Sequence, residues 1–212
     1  MLVFDWDGTL MDSAPAIVAS IQESCRDLGL PVPERERAAH VIGLGLKDAL
    51  AYAVPQLPPS EYGRLAERYR YHYLARDADL TLFPGVREML DELKQRGYLL
   101  AVATGKSRAG LDRVLEATQL KTCFDASRCA DETHSKPHPA MLQELMQELL
   151  TEPDTTLMIG DTAHDLQMAL SAGVAALAVS YGAHERESLV QLNPLACIDT
   201  PGELAAWLER HA

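Results

Sequence analysis

The chain has 212 residues, 47% hydrophobic and 24% charged, a composition that suits one folded unit with a small accessory module and excludes a disordered chain. Thirty-one acidic against nineteen basic residues give a formal charge of −12, which repels polyanions at long range and excludes nucleic acid and anionic membrane as partners. The four cysteines, Cys25, Cys123, Cys129 and Cys197, contain no C-x-x-C pair and are too few for a disulfide framework, so they read as free thiols of a reducing compartment. No basic region followed by an apolar stretch opens the chain, and no charge-free run spans a bilayer. The expected location is the cytoplasm and the expected state a monomer or homodimer.

Leu2 to Phe4 form a short apolar, β-prone run that stops at Asp5, and W-D-G-T-L follows with a turn-forming Asp7-Gly8 pair. This reads as a strand and then a loop. A buried parallel strand usually runs about four to eight residues, so beginning inside this one is odd for a natural protein and leaves room for a trimmed or misassigned start. Pro15 to Leu28 reads as a helix: Ser13 can cap it, Ile17, Val18, Ile21, Cys25 and Leu28 share a face, and Gly29 ends it. From Pro31 to about Ala78 there is no strand pattern, only helical stretches broken by proline and glycine. After Pro84-Gly85 helix and strand alternate: helix Val86 to Arg96, strand Leu99 to Ala103, helix Ser107 to Thr118 and strand Ala126 to Cys129. The series continues with helix Pro139 to Leu150, strand Thr156 to Ile159, helix Ala163 to Ala172, strand Ala175 to Ser180 and two closing helices. Such alternation predicts an α/β fold, a doubly wound parallel (Rossmann-like) sheet, with the helical module inserted into it.

Ligands of an open parallel sheet bind at the carboxyl ends of its strands. The polar residues expected there are Asp5 and Asp7 after the first strand, Thr104 and Gly105 after the second, Lys136 in the loop past the third, and Asp161 with Asp165 after the fourth. Singly, Thr104 could cap a helix, Asp12 could help begin one, and Asp165 could be a surface residue. Together, four crowded carboxylates need a cation, and an oxygen-only donor set selects a hard ion such as Mg²⁺. With a lysine and a hydroxyl beside them, the fitting guest is a phosphoryl group. Asp5 is then placed as a nucleophile and Asp7 as the group that protonates the leaving oxygen and deprotonates water.

These residues carry a family resemblance. F-D-W-D-G-T-L-M-D-S (Phe4 to Ser13), A-T-G-K-S (Ala103 to Ser107), S-K-P-H-P (Ser135 to Pro139) and I-G-D-T-A-H-D (Ile159 to Asp165) resemble, in order, the four motifs of the haloacid dehalogenase superfamily, in its phosphoglycolate phosphatase-like branch. The resemblance implies Asp5 as nucleophile and metal ligand, Asp7 as acid/base and backbone-carbonyl ligand, and Thr104, Gly105 and Lys136 as phosphate holders. It also implies Asp161 as a direct Mg²⁺ ligand, with Asp165 in or just outside that shell. The dehalogenases resemble this chain but lack a carboxylate at position 7, so phosphate ester hydrolysis is favoured.

Residues 14–80 fall where this family inserts a mobile cap, leaving 1–13 and 81–212 as the catalytic core. In G-L-G-L-K-D-A-L (Gly43 to Leu50), Lys47 is placed either at the substrate's non-reacting end or as a solvated helix-start lysine. Tyrosines and arginines mixed over Tyr62 to Arg76 read as a cap helix with a solvated face, not a nucleic-acid site. Cys129, His134 and His138 lack regular metal-ligand spacing, and His164 reads as a variable position. The expected substrate is a small phosphorylated metabolite, phosphoglycolate-like or a sugar phosphate. The competing readings are a phosphomutase of the β-phosphoglucomutase type and a non-catalytic binding relative.

Overall fold

The computed structural model describes residues 1–211, so that Ala212 of the expected core segment lies outside the described residues. Its strands are β1 (Leu2–Phe4), β2 (Leu100–Thr104), β3 (Ala126–Cys129), β4 (Leu157–Gly160), β5 (Ala175–Val179) and β6 (Cys197–Ile198). All pair in parallel, in the order β3-β2-β1-β4-β5-β6. The helices are α1 (Ala14–Asp27), α2 (Arg35–His40), α3 (Leu46–Ala53), α4 (Tyr62–Leu74) and α5 (Val86–Gln95). They continue with α6 (Arg108–Ala117), α7 (Ala140–Leu149), α8 (Ala163–Ala172), α9 (Arg186–Val190) and α10 (Pro201–His211).

Side chains alternate across a strand, so neighbouring residues of β1 feed different cores. Leu2 and Phe4 join Val102, Leu177 and Val179 in a cluster covered by α5, α6 and α10. Val3 joins Ala101, Ala103 and Met158 in a second, covered by α7 and α8. Both faces of the sheet are thereby closed, which is why its strands read as continuous apolar runs rather than alternating ones.

Two details differ from the sequence expectation. Thr104 and Gly160 are the last residues of β2 and β4, not the first after them. A strand, β6, lies between the two closing helices, hydrogen-bonded to β5. At two residues it is too short to carry any periodicity.

Helices α1 to α4 surround a separate cluster that includes Ile17, Val18, Ile21, Cys25, Val41, Ile42, Leu50, Leu65 and Tyr73. The expected α1 stripe is buried at Ile17, Val18, Ile21 and Cys25 and half-buried at Leu28. Helix α4 and the turn after it are tied to α1: Arg68 pairs with Asp27 at 2.7 Å, His72 Nε2 meets the same carboxylate at 2.8 Å, and Arg76, just past α4, pairs with Glu23 at 2.6 Å. Arg64, Glu67, Arg70 and Tyr71 of the same helix remain exposed, the solvated face expected of it. The chain enters and leaves this helical module side by side. The Asp12 amide donates to the Thr81 carbonyl and the Phe83 amide to that of Leu10, both at 3.0 Å. Among the described residues no helix is long and apolar enough to cross a membrane.

Candidate active site

Because β1 lies between β2 and β4, the residues at their carboxyl ends are lateral neighbours. Asp5 follows β1, Thr104 closes β2 and Asp161 follows β4, while the loop after β3 delivers Lys136 to the same edge. This is where the strand order reverses, the position at which an open α/β sheet leaves a crevice.

Asp5, Asp161 and Asp165 each bring one carboxylate oxygen to within 4.8 Å of the others, and all three are fully buried. Lys136, also buried, sets its Nζ 2.7 Å from Asp5 Oδ1 and 2.6 Å from Asp165 Oδ1. These are ionic contacts without hydrogen-bond angles. Asp161 is held by Thr9 Oγ1, which donates to its Oδ1 at 2.8 Å, and by the Ala183 amide, which donates to Oδ2 at 2.7 Å. Asp165 opens α8 in a capping box: its Oδ2 accepts from the Thr162 amide and hydroxyl, and the helix N-terminus favours its charge. Both Asp5 oxygens are buried without a hydrogen-bond partner.

One ammonium among three buried carboxylates leaves the centre electrostatically unbalanced. Burial foremost, with Asp165 adding to it against the opposing pull of Lys136, pushes the Asp5 carboxyl up to about 7. Burial and then the Asp5 and Asp165 charges push Asp161 well above the usual carboxylate range. Burial alone would lower the Lys136 ammonium, but Asp165 and Asp5 outweigh it and hold it above an ordinary lysine. A divalent cation would remove the imbalance, and all-oxygen donors with orphaned carboxylate oxygens fit a hard ion such as Mg²⁺. The backbone makes room for this packing at Gly8. Its φ is +83°, and a Cβ there would lie 2.1 Å from Asp161 Oδ2.

Asp7 stands apart from this buried group and faces a cleft of about 730 Å³, whose lining includes Gly105, Lys106, Lys47, Tyr69 and Tyr73. Ser13 was the expected cap of α1, but its hydroxyl makes no capping bond and donates instead to Asp7 Oδ1 at 2.6 Å. Lys106 Nζ lies 2.9 Å from the same oxygen. Thr104 is buried and its Oγ1 accepts from the Lys106 amide at 3.2 Å; the cap of α6 is Ser107. Asp12 is exposed and outside the carboxylate group. Gly105 is pressed under the α2–α3 loop, where a Cβ would come within 2.4 Å of the Leu44 carbonyl oxygen. Lys47, in the first turn of α3, is exposed and faces the cleft.

Several contributors had gone unread in the sequence. Lys106 directly follows Thr-Gly at a strand end, a position that could have flagged it. Ser13, Thr9 and Tyr73 carry no such signal. His164 is more than a variable position: its Nε2 meets the His40 carbonyl oxygen at 2.8 Å, and that of His184 meets it at 3.1 Å. His184 Nδ1 accepts from the Ala163 amide, leaving its Nε2 to donate. Burial lowers both imidazoles, His184 to about 4, so that His184 meets the end of α2 as a neutral ring. His134 and His138 stack on each other, and His138 Nδ1 accepts from the Ala140 amide at the start of α7. Among the described residues the only group found able to hold a metal is the carboxylate one.

The model of the family described as haloacid dehalogenase-like hydrolase matches residues 2–179. A "Probable phosphatase IndB" from Dickeya dadantii is 39% identical over 210 residues, covering 96% of this chain and 91% of its own. A phosphoglycolate phosphatase from Aliivibrio fischeri is 32% identical over 204 residues, covering 92% and 89%. Among solved structures, a predicted phosphoglycolate phosphatase from Haemophilus somnus matches with a TM-score of 0.86 at 28% identity, over 100% of this chain and 97% of that one. A hydrolase from Pseudomonas syringae shares the fold with a TM-score of 0.91 at 22% identity, over 100% and 98%. A family match across most of the chain, and relatives above 30% identity along nearly all of it, make this protein a member of the haloacid dehalogenase-like hydrolases.

Proposed function

We propose that this protein is a Mg²⁺-dependent phosphatase that hydrolyses a small phosphomonoester through a phosphoryl group carried on Asp5. The observation that carries the reading is the buried, charge-unbalanced carboxylate centre, in which neither Asp5 oxygen has a hydrogen-bond partner. Phosphatase relatives aligned along nearly the whole chain support it.

In this reading Asp5, Asp161 and Asp165 hold the ion together with the Asp7 carbonyl. When bound, it supplies positive charge against the carboxylates and against the phosphoryl oxygens during transfer. An Asp5 carboxylate oxygen attacks phosphorus, and the phosphorus–ester oxygen bond breaks. Asp7 gives its proton to the departing alkoxide, which leaves as the alcohol. Thr104, Gly105 and Lys136 hold the phosphoryl oxygens throughout. A water molecule then gives a proton to Asp7 and attacks phosphorus, releasing inorganic phosphate and restoring Asp5 as a carboxylate and Asp7 as an acid.

Residues 14–80 serve as a cap over the cleft. They carry Lys47 toward the substrate's non-reacting end and exclude bulk water. Relatives named phosphoglycolate phosphatase make that compound the first to test. The site of action would be the cytoplasm.

The test is phosphate release from phosphoglycolate and a panel of sugar phosphates, with Mg²⁺, with EDTA and with Asp5→Asn. Release that requires Mg²⁺ and vanishes in Asp5→Asn is expected. Release that survives in Asp5→Asn would overturn the covalent route, and no release from any compound would overturn the phosphatase reading.

A further inference from the structure

The proposed transfer needs Asp7 aimed at one oxygen of the leaving group, and a free aspartate rotates about two bonds. Two side chains from different parts of the chain remove that freedom, and a third steadies one of them. Ser13, just before α1, donates to Asp7 Oδ1 at 2.6 Å. Lys106, in the loop after β2, sets its ammonium 2.9 Å from the same oxygen. The Lys106 ammonium also donates to the Tyr73 hydroxyl at 2.9 Å and lies 5.0 Å from the centre of that ring. The Lys106 side chain is only 9% exposed and that of Asp7 10%, so water screens this contact little. Tyr73 belongs to α4, whereas Lys106 belongs to the sheet edge.

Resting on the phosphatase reading, we propose that Lys106 is a positioning residue for Asp7, and that Tyr73 ties this hold to the seating of α4 over the cleft. Lys106 itself takes no proton and forms no bond in the reaction. It holds the carboxylate in the one orientation from which a proton reaches the leaving oxygen. Because the hydroxyl that steadies the ammonium is carried by α4, the aim of Asp7 is completed only when that helix lies in place. A phosphate ester entering beneath α4 therefore meets a proton donor that is already aimed. This role differs from that of Lys136, which touches the buried carboxylates and not Asp7.

A positioning role for a proton donor has a signature that a structural or phosphate-binding role lacks. An ester whose alcohol leaves readily as an anion needs little protonation, whereas an alkyl ester needs it fully. The experiment compares p-nitrophenyl phosphate with benzyl phosphate, two esters of similar size, in the full chain with Mg²⁺. The readout is kcat/KM, which covers only the steps up to loss of the alcohol. Lys106→Met should lower kcat/KM for benzyl phosphate by roughly 100-fold, and for p-nitrophenyl phosphate by less than about 10-fold. The ratio between the esters is independent of how much of the variant folds. Tyr73→Phe keeps the ring and removes only the hydroxyl, and it should move the ratio in the same direction by a smaller factor.

If Lys106→Met lowers both esters by the same factor, or leaves both unchanged, the positioning role is overturned. A ratio that responds to Lys106→Met but not to Tyr73→Phe overturns the link to α4. A wild-type protein that hydrolyses neither ester overturns the phosphatase reading, and this inference with it.

Discussion

Replacing Asp5 with Asn should make the metal-free protein more stable while ending turnover. In the folded chain burial, helped by Asp165 and opposed by Lys136, raises this carboxyl from 3.8 to about 7. Below pH 3.8 both the folded and unfolded states carry the proton. Between there and pH 7 the folded state keeps a proton that the unfolded chain releases, so stability falls as pH rises through that window. At pH 8 the accumulated destabilisation is about 4 kcal/mol, taking about 3 pKa units at 1.36 kcal/mol each. An asparagine avoids the buried charge but needs hydrogen-bond partners of its own, which reduces the gain to about 2 kcal/mol. For a chain of this length that is a rise in Tm of about 4–8 °C. The assay is thermal unfolding by circular dichroism in EDTA at pH 8 and pH 5.5. The gain should be larger at pH 8, and Mg²⁺ should narrow it by stabilising wild type more than the variant. His184, held neutral by burial down to about 4, destabilises both proteins equally as pH falls from 6.5 and so cancels in the difference. A variant no more stable than wild type at pH 8, or a gain as large at pH 5.5, would refute the reasoning.

The other perturbations act on separate parts of the site. Lys136→Met leaves three buried carboxylates without their ammonium and should cost about 3–5 kcal/mol in EDTA, measured by chemical denaturation, with Mg²⁺ recovering part of the loss. Gly105→Ala would place a Cβ 2.4 Å from the Leu44 carbonyl oxygen. It should lift the α2–α3 loop and raise KM by about 10-fold or more, and steady-state kinetics with limited proteolysis of that loop would check it. Lys47→Ala should raise KM more than it lowers kcat, and unchanged kinetics would remove this lysine from substrate binding.

The sheet and the polar edge where its strands end are legible in the sequence because each strand is a short apolar run and the carboxylates begin where the run stops. Phe4 gives way to Asp5, and Ile159 and Gly160 give way to Asp161. The α1 stripe is legible for the same kind of reason, since Ile17, Ile21 and Cys25 recur at helical spacing. What is not legible depends on where side chains point after the chain has closed on itself. Ser13 has the residue type and position of a helix cap, yet its hydroxyl is drawn to a carboxylate six residues earlier. Tyr73 looks like any aromatic of a polar helix until α4 has packed on α1, which buries it between the apolar cluster and the cleft. Two imidazoles meeting the carbonyl of His40 come from positions 164 and 184, and no local pattern announces that encounter.

The paired crossing at Asp12 and Thr81, with Phe83 against Leu10, has a topological meaning. About seventy residues leave the sheet domain and return to within one hydrogen bond of their point of departure. To the strand pairing, such an excursion is equivalent to a tight turn, since no strand lies within it; its ties to the core include those at His40 and Gly45. Since closing a loop costs free energy only with the logarithm of its length, the strand pairing is nearly indifferent to what is built between those two ends. An excursion of different size and chemistry could therefore be grafted at the same junction, setting a different lining over the same strand ends.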